Sequence, residues 1–190
     1  MKSYKREVAR LLVLTIALAV VLAAKGREMI GEPRIIDLGQ RKLVGMSQEM
    51  SRINDKTGQL WRGFMERRQE IAGRVSQNFV SMQVYPRGPR QLAEPSATFT
   101  KWAVVEVESL ESIPQGMQSY VLQPGTYAVF DHHGPASDVS TFVHIFNEWL
   151  PNSRTYALDD REHFEVLPPD YDAQDPNARE EIWIPIKSKE

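Results

Sequence analysis

Two strand-like segments each set a tryptophan beside a carboxylate. In Glu180-Glu181-Ile182-Trp183-Ile184-Pro185-Ile186, the two-residue side-chain period puts Ile182, Ile184 and Ile186 on one face and Glu181, Trp183 and Pro185 on the other. Lys101 to Val107 repeats the pattern, with Trp102, Val104 and Glu106 opposed to Ala103, Val105 and Val107. The isoleucine face reads as core. A carboxylate next to an indole binds a flat cation by charge and by ring stacking, and in a dry enough place its pKa rises to suit a general base. The same spacing also fits tryptophans that only pack a sheet while their glutamates stay solvated. Tyr85, Tyr120 and Tyr127 join the candidates through their strand positions alone.

Other chemistries find little support. Cys is absent, which removes disulfides, thiolate nucleophiles and cysteine metal sites. No Ser with a nearby His and Asp forms a nucleophile motif, and no Gly-rich loop is suited to phosphate. Asp131-His132-His133 is expected on a surface loop, because adjacent His residues on an extended segment point to opposite faces and nothing at helical spacing completes a metal site. His144 and His163 are expected at the surface or at a rim. No cofactor and no metal is therefore expected.

The elements that must position these residues occur twice. A helix-patterned stretch from Thr57 to Val75 is followed by Met82-Gln83-Val84-Tyr85-Pro86 and then Trp102; a second, Asp138 to Leu150, is followed by Phe164-Glu165-Val166-Leu167-Pro168 and then Trp183. Apolar segments Lys42 to Met46 and Tyr127 to Phe130 precede the helices, so each copy reads strand, helix, strand, strand, and the seam between copies is a natural cleft. Arg34 to Leu38 and Lys42 to Met46, broken by Gly39 and Gly45, read as a strand with a bend or bulge. The first helix buries Leu60, Phe64, Ile71 and Val75; the second carries Val139, Phe142, Val143, Phe146, Trp149 and Leu150 on one stripe, with Pro151 ending it. Pro168 to Asn177 is a proline- and Asp-rich loop, expected either to be mobile or to form a lip over a site.

A chain of 190 residues with 42% apolar residues has the size and composition of one globular domain. The formal charge of −2 is unevenly spread, since Met1 to Glu28 carries six Lys/Arg against two Glu, leaving the remainder at −6. An acidic body without a basic stripe argues against direct nucleic-acid binding. Lys2, Lys5, Arg6 and Arg10 precede fourteen uncharged, largely apolar residues from Leu11 to Ala24, a signal-like or membrane-anchoring leader over 1–28 ahead of a folded module over 29–190. Export or anchoring through this leader is expected, with membrane contact only there; the alternative is a cytoplasmic protein starting at Met29.

Gly58 to Met65, Met82 to Pro86, Lys101 to Val107, Gly125 to Phe130 with Gly134, His163 to Val166 and Glu180 to Ile186 together resemble a GyrI-like domain. This is the effector-binding domain also found behind the DNA-binding regions of AraC-type and MerR-type activators. The resemblance covers Pro33 to Lys187. It implies an α+β fold in which two β-α-β-β modules form curved antiparallel sheets with two main helices and a central ligand cleft. In relatives with promiscuous drug recognition, a buried Glu and aromatic side chains hold lipophilic cations, and Glu181 is the position matching that carboxylate. The resemblance thus implies a stand-alone module binding an amphipathic or cationic small molecule through Glu181, Trp183, Trp102, Tyr127, Tyr85 and Glu106. Some stand-alone relatives hydrolyse cyclopropane-bearing natural products with the same Glu activating water, which would make Glu181 catalytic, and others inhibit DNA gyrase. Relatives usually begin at the first strand or follow a helix-turn-helix, so the leader is a departure.

Overall fold

The computed structural model describes residues 30–86, 88 and 94–189; the expected leader over 1–28 and the middle of the Pro86 to Pro95 loop lie outside the described residues. The described residues form nine strands: β1 (Arg34–Leu38), β2 (Arg41–Met50), β3 (Phe79–Val84), β4 (Phe99–Glu106), β5 (Gln118–Leu122), β6 (Gly125–His133), β7 (Tyr156–Leu158), β8 (His163–Leu167) and β9 (Arg179–Ser188). Helix α1 (Thr57–Arg67) follows β2. Helix α2 (Ser140–His144) follows β6 and continues through a π-helical turn (Ile145–Trp149) into a last turn (Leu150–Asn152).

The strands lie in the order β1-β6-β9-β8-β3-β4-β2-β5, with β7 paired to β9 off this path. The order is a palindrome of the repeat: β2, β3 and β4 of the first copy mirror β6, β8 and β9 of the second. Its centre lies between Met82 and Phe164, which occupy equivalent places in the two copies and are paired with each other. Trp102 lies opposite Met82 and Trp183 opposite Phe164, so the two tryptophans flank the centre symmetrically. The fold is the α+β, curved antiparallel arrangement that the family resemblance implies.

Arg34 to Leu38 and Lys42 to Met46 are not one bent strand. β1 pairs with β6 of the second copy, and β2 pairs with β4 and β5. The strand leading each copy therefore joins the other copy, β1 onto β6 and β5 onto β2. This arrangement forces curvature. In a flat sheet the six strand spacings separating β1 from β2 would measure about 29 Å. The two-residue link Gly39-Gln40 reaches only about 11 Å. The two-residue link Gln123-Pro124 imposes the same limit between β5 and β6, so the sheet curls until its edges approach.

The curl gives the sheet two different sides. On one, α1 buries Leu60 and Phe64 with Val44, Phe79, Ala103, Val105 and Leu167. On the other, Leu38 of β1 and Leu122 of β5 meet Leu43, Met82, Trp102, Val104, Tyr127, Val129, Phe164 and Trp183 in a second cluster. Gly45 of β2 is held to glycine by its neighbour, since a Cβ there would lie 2.2 Å from the Ala103 carbonyl oxygen.

Both helices depart from their expected outlines. α1 stops at Arg67 and tightens into a turn over Arg68–Glu70, after which Gly73 at φ +65° turns the chain back. Ile71 is still buried, but Val75 is exposed and its N–H donates to the Glu106 carbonyl. In α2, Pro151 sits inside the last turn and the helix ends at Asn152. Thr141 and Ile145 are its fully buried residues, while Val139 and Val143 are exposed and Phe142 and Phe146 half-buried. The expected apolar stripe is thus turned only partly towards the buried side.

Candidate functional site

That turned stripe lines a cleft. Between α1 and α2, over β3 and β8 at the centre of the repeat, lies a cavity of about 380 Å³ whose walls include Trp61, Met65, Phe79, Phe142 and Tyr171. Thr57, Lys101, Phe142 and Glu165 also line a wider space of about 750 Å³ that opens along Tyr85, Val139, Val143 and Phe146. Strand alternation selects its floor: Ser81 of β3, Lys101 of β4, His163 and Glu165 of β8, and Glu180 of β9 all project to the helix side. Pro169, Tyr171 and Ala173 from the Pro168 to Asn177 loop close one end, which makes that loop the lip expected of it.

The charged groups of the floor are arranged unequally. Lys101 Nζ donates to Glu165 Oε2 at 3.4 Å, with both side chains largely buried. Glu180 lies beside the Tyr171 hydroxyl, and among the described residues it forms no ion pair. Burial, reinforced by the nearby Glu165 charge, raises the Glu180 pKa above the usual carboxylate range. The same burial, with the neighbouring Glu180 carboxylate, pushes the Tyr171 hydroxyl upward, so this phenol stays protonated. His163 stacks on Tyr85 at 5.6 Å and is buried, contrary to the rim position expected for it; desolvation lowers its pKa to about 4, leaving it neutral at pH 7. Burial pushes Tyr85 up to about 12, and its hydroxyl donates to Gln83 at 3.0 Å.

The six residues that the family resemblance gathers into a site divide between the two sides of the sheet. Tyr85 lines the inter-helix cleft. Trp102, Tyr127 and Trp183 are packed into the cluster on the other side, where Tyr127 lies 5.3 Å from Phe164 and 5.9 Å from Trp183. Glu181 is there too, receiving Arg34 Nη2 at 2.7 Å and the Trp183 indole N–H at 3.0 Å, with its side chain 35% exposed. Glu106 receives Arg41 at 2.8 Å. Glu106, Glu181 and Trp183 do share a small cavity of about 180 Å³ on that side, but each of the two carboxylates already holds an arginine. Asp131-His132-His133 belongs to β6 rather than to a surface loop, and His132 is buried with Nδ1 2.8 Å from the Thr141 hydroxyl.

Glu180 and Glu165 are the carboxylates on the strand floor of the cleft, and reading the sequence by its tryptophans passed over both. The available signal was the isoleucine face of β9, which extends back to Glu180 one residue before Glu181. A face continuous with three buried isoleucines and ending in a carboxylate marks a place where core gives way to a lined cavity.

Residues 31–187 match the profile of the GyrI-like small molecule binding domain. The transcriptional regulator BrlR of Pseudomonas aeruginosa is 29% identical over 162 residues, covering 80% of this chain and 54% of the regulator. The chain thus spans about half the length of this curated relative. Among solved structures, SAV2435 bound to tetraphenylphosphonium superposes with a TM-score of 0.56 at 18% identity, covering 83% of this chain and 94% of that one. The EcmrR C-terminal domain superposes with a TM-score of 0.62 at 10% identity, covering 83% and 98%.

Proposed function

The chain belongs to the GyrI-like small-molecule-binding family, and from that premise we propose that it captures amphipathic organic cations in the cleft between α1 and α2. The observation carrying this reading is Glu180, a carboxylate on an apolar, aromatic-walled floor that shares its lining with the neutral Tyr171 phenol and forms no ion pair among the described residues. A desolvated carboxylate without a cation is costly to maintain ionised, and a ligand that brings the missing charge relieves that cost. Trp61, Phe79, Phe142 and Tyr171 present ring surface to the apolar body of such a ligand and to its charge. The tetraphenylphosphonium bound to SAV2435 is an aromatic monocation of this kind, which supports the choice of chemical class.

Glu181, the position suggested by family resemblance, is a weaker candidate, because Arg34 already neutralises it at the surface. Titration calorimetry with tetraphenylphosphonium tests the assignment. Glu180→Gln keeps the shape of the side chain, removes its charge and is expected to weaken binding by roughly 1 to 3 kcal/mol, the usual scale for a hydrogen-bonded or paired charge. Unchanged affinity in Glu180→Gln would refute the role given to this carboxylate.

A further inference from the structure

The cleft already contains a cation of its own. Lys101 is 6% exposed, lines both compartments of the cleft and is held by Glu165, while its charge also reaches Asp55 and Glu180. The repeat shows that packing does not demand a lysine here. Trp102 corresponds to Trp183, so the counterpart of Lys101 is Ile182, a buried isoleucine at the same register of the other copy. Glu165 corresponds likewise to Gln83, a neutral side chain of nearly the same shape. The Lys101–Glu165 pair is therefore a charged departure from an otherwise shared pattern, and it stands where the two copies face the cleft.

Resting on the reading of the cleft as a cation site, we propose that Lys101 is the specificity-determining residue that sets the charge of the ligand. The ionisable groups lining the two compartments are Asp55, Glu165 and Glu180 against Lys101 and Arg52, a balance of one negative charge. Lys101 consumes the Glu165 charge and leaves Glu180 to a ligand. A monocation completes the balance. A dication brings its second charge against the Lys101 ammonium in a medium where like charges repel strongly. His163, neutral at pH 7, adds no further positive charge to the floor.

The test compares wild type, Lys101→Met and Glu165→Gln by calorimetry with three probes: tetraphenylphosphonium, the aromatic dication pentamidine and the neutral triphenylphosphine oxide. Wild type is expected to prefer the monocation. Removing the Lys101 charge should tighten tetraphenylphosphonium by about tenfold and pentamidine by more, while Glu165→Gln should weaken tetraphenylphosphonium by about tenfold. The neutral probe should stay within about twofold throughout, because only charge has changed. A pair that merely holds the strands together predicts that both variants move in the same direction, and that result would overturn the role of Lys101. So would a pentamidine-to-tetraphenylphosphonium ratio that Lys101→Met leaves unaltered. If Lys101→Met does not fold, the sign of the Glu165→Gln effect decides, since tighter monocation binding there contradicts the charge count. Wild type that binds triphenylphosphine oxide but neither cation would overturn the cation reading of the cleft, and the role of Lys101 with it. Binding of tetraphenylphosphonium by wild type with unopposed shifts in the variants would overturn only the latter.

Discussion

His163 shows how strongly the cleft floor is withdrawn from water. Its folded-state pKa of about 4 lies below the ordinary 6.5, so below pH 6.5 the unfolded chain binds a proton that the folded one refuses. Stability is thus fully present above about pH 6.5 and is lost as the pH falls towards about 4, by up to roughly 3 kcal/mol from this group. Urea denaturation at pH 7, 5.5 and 4 should show that slope in wild type and a shallower one in His163→Gln. Glu181 makes the opposite case. Its pairing with Arg34 is at the surface, where such pairs contribute little, so Glu181→Gln should shift stability by less than about 1 kcal/mol. Tetraphenylphosphonium affinity in the same variant should stay within about twofold if the cation site is on the other side of the sheet. Alternation correctly separated Glu181 and Trp183 from the isoleucines. It carries no information on which of the two faces a helix covers, and that is why the tryptophan face drew the ligand and Glu180 went unnoticed.

Among the elements, α2 is the one whose sequence pattern misleads in a useful way. Its apolar residues outnumber what one buried stripe requires, and they are shared between a buried side and the cleft. Ile145 is fully buried, so Ile145→Ala should cost about 2 to 5 kcal/mol in a thermal or urea melt. Val143 borders the cleft and is exposed; Val143→Ala should change stability by less than about 0.5 kcal/mol while lowering affinity for an apolar cation. Val139, Phe142 and Val143 precede the π-helical turn, so their placement at the cleft follows from which side of the helix meets the sheet, and a sequence period of 3.6 does not fix that side. In β2 the constraint is between backbones. Gly45→Ala must push the strand away from the Ala103 carbonyl, with an expected loss of about 1 to 3 kcal/mol and a lower melting temperature. The duplicated strand-helix-strand-strand order was legible because spacing between helix, proline and tryptophan survives divergence. The separation of β1 from β2 was not, since two apolar runs with a glycine between them look alike whether the chain bends or crosses to another sheet edge.

For the whole molecule, the exchange of leading strands means that the two copies are not two small domains. A fragment over 30–116 retains β1 without β6, and a fragment over 117–189 retains β5 without β2. Each should lack cooperative unfolding alone, whereas mixing the two should recover strand-rich circular dichroism and a single melting transition. Two separate melts would contradict the reciprocal pairing. The resemblance read from the sequence covered the pair of copies and their shared cleft, but the exchange rests on strand pairing between distant segments, which no local pattern encodes. It also sets a clock on biosynthesis. Arg34 finds its partner Val129 only after β6 has left the ribosome, on the order of ten seconds after β1 itself at ordinary elongation rates. Throughout that interval the nascent first half offers an unpaired strand and an uncovered aromatic surface, so the period of greatest exposure to aggregation or to chaperone capture is fixed by the order of the strands rather than by their stability.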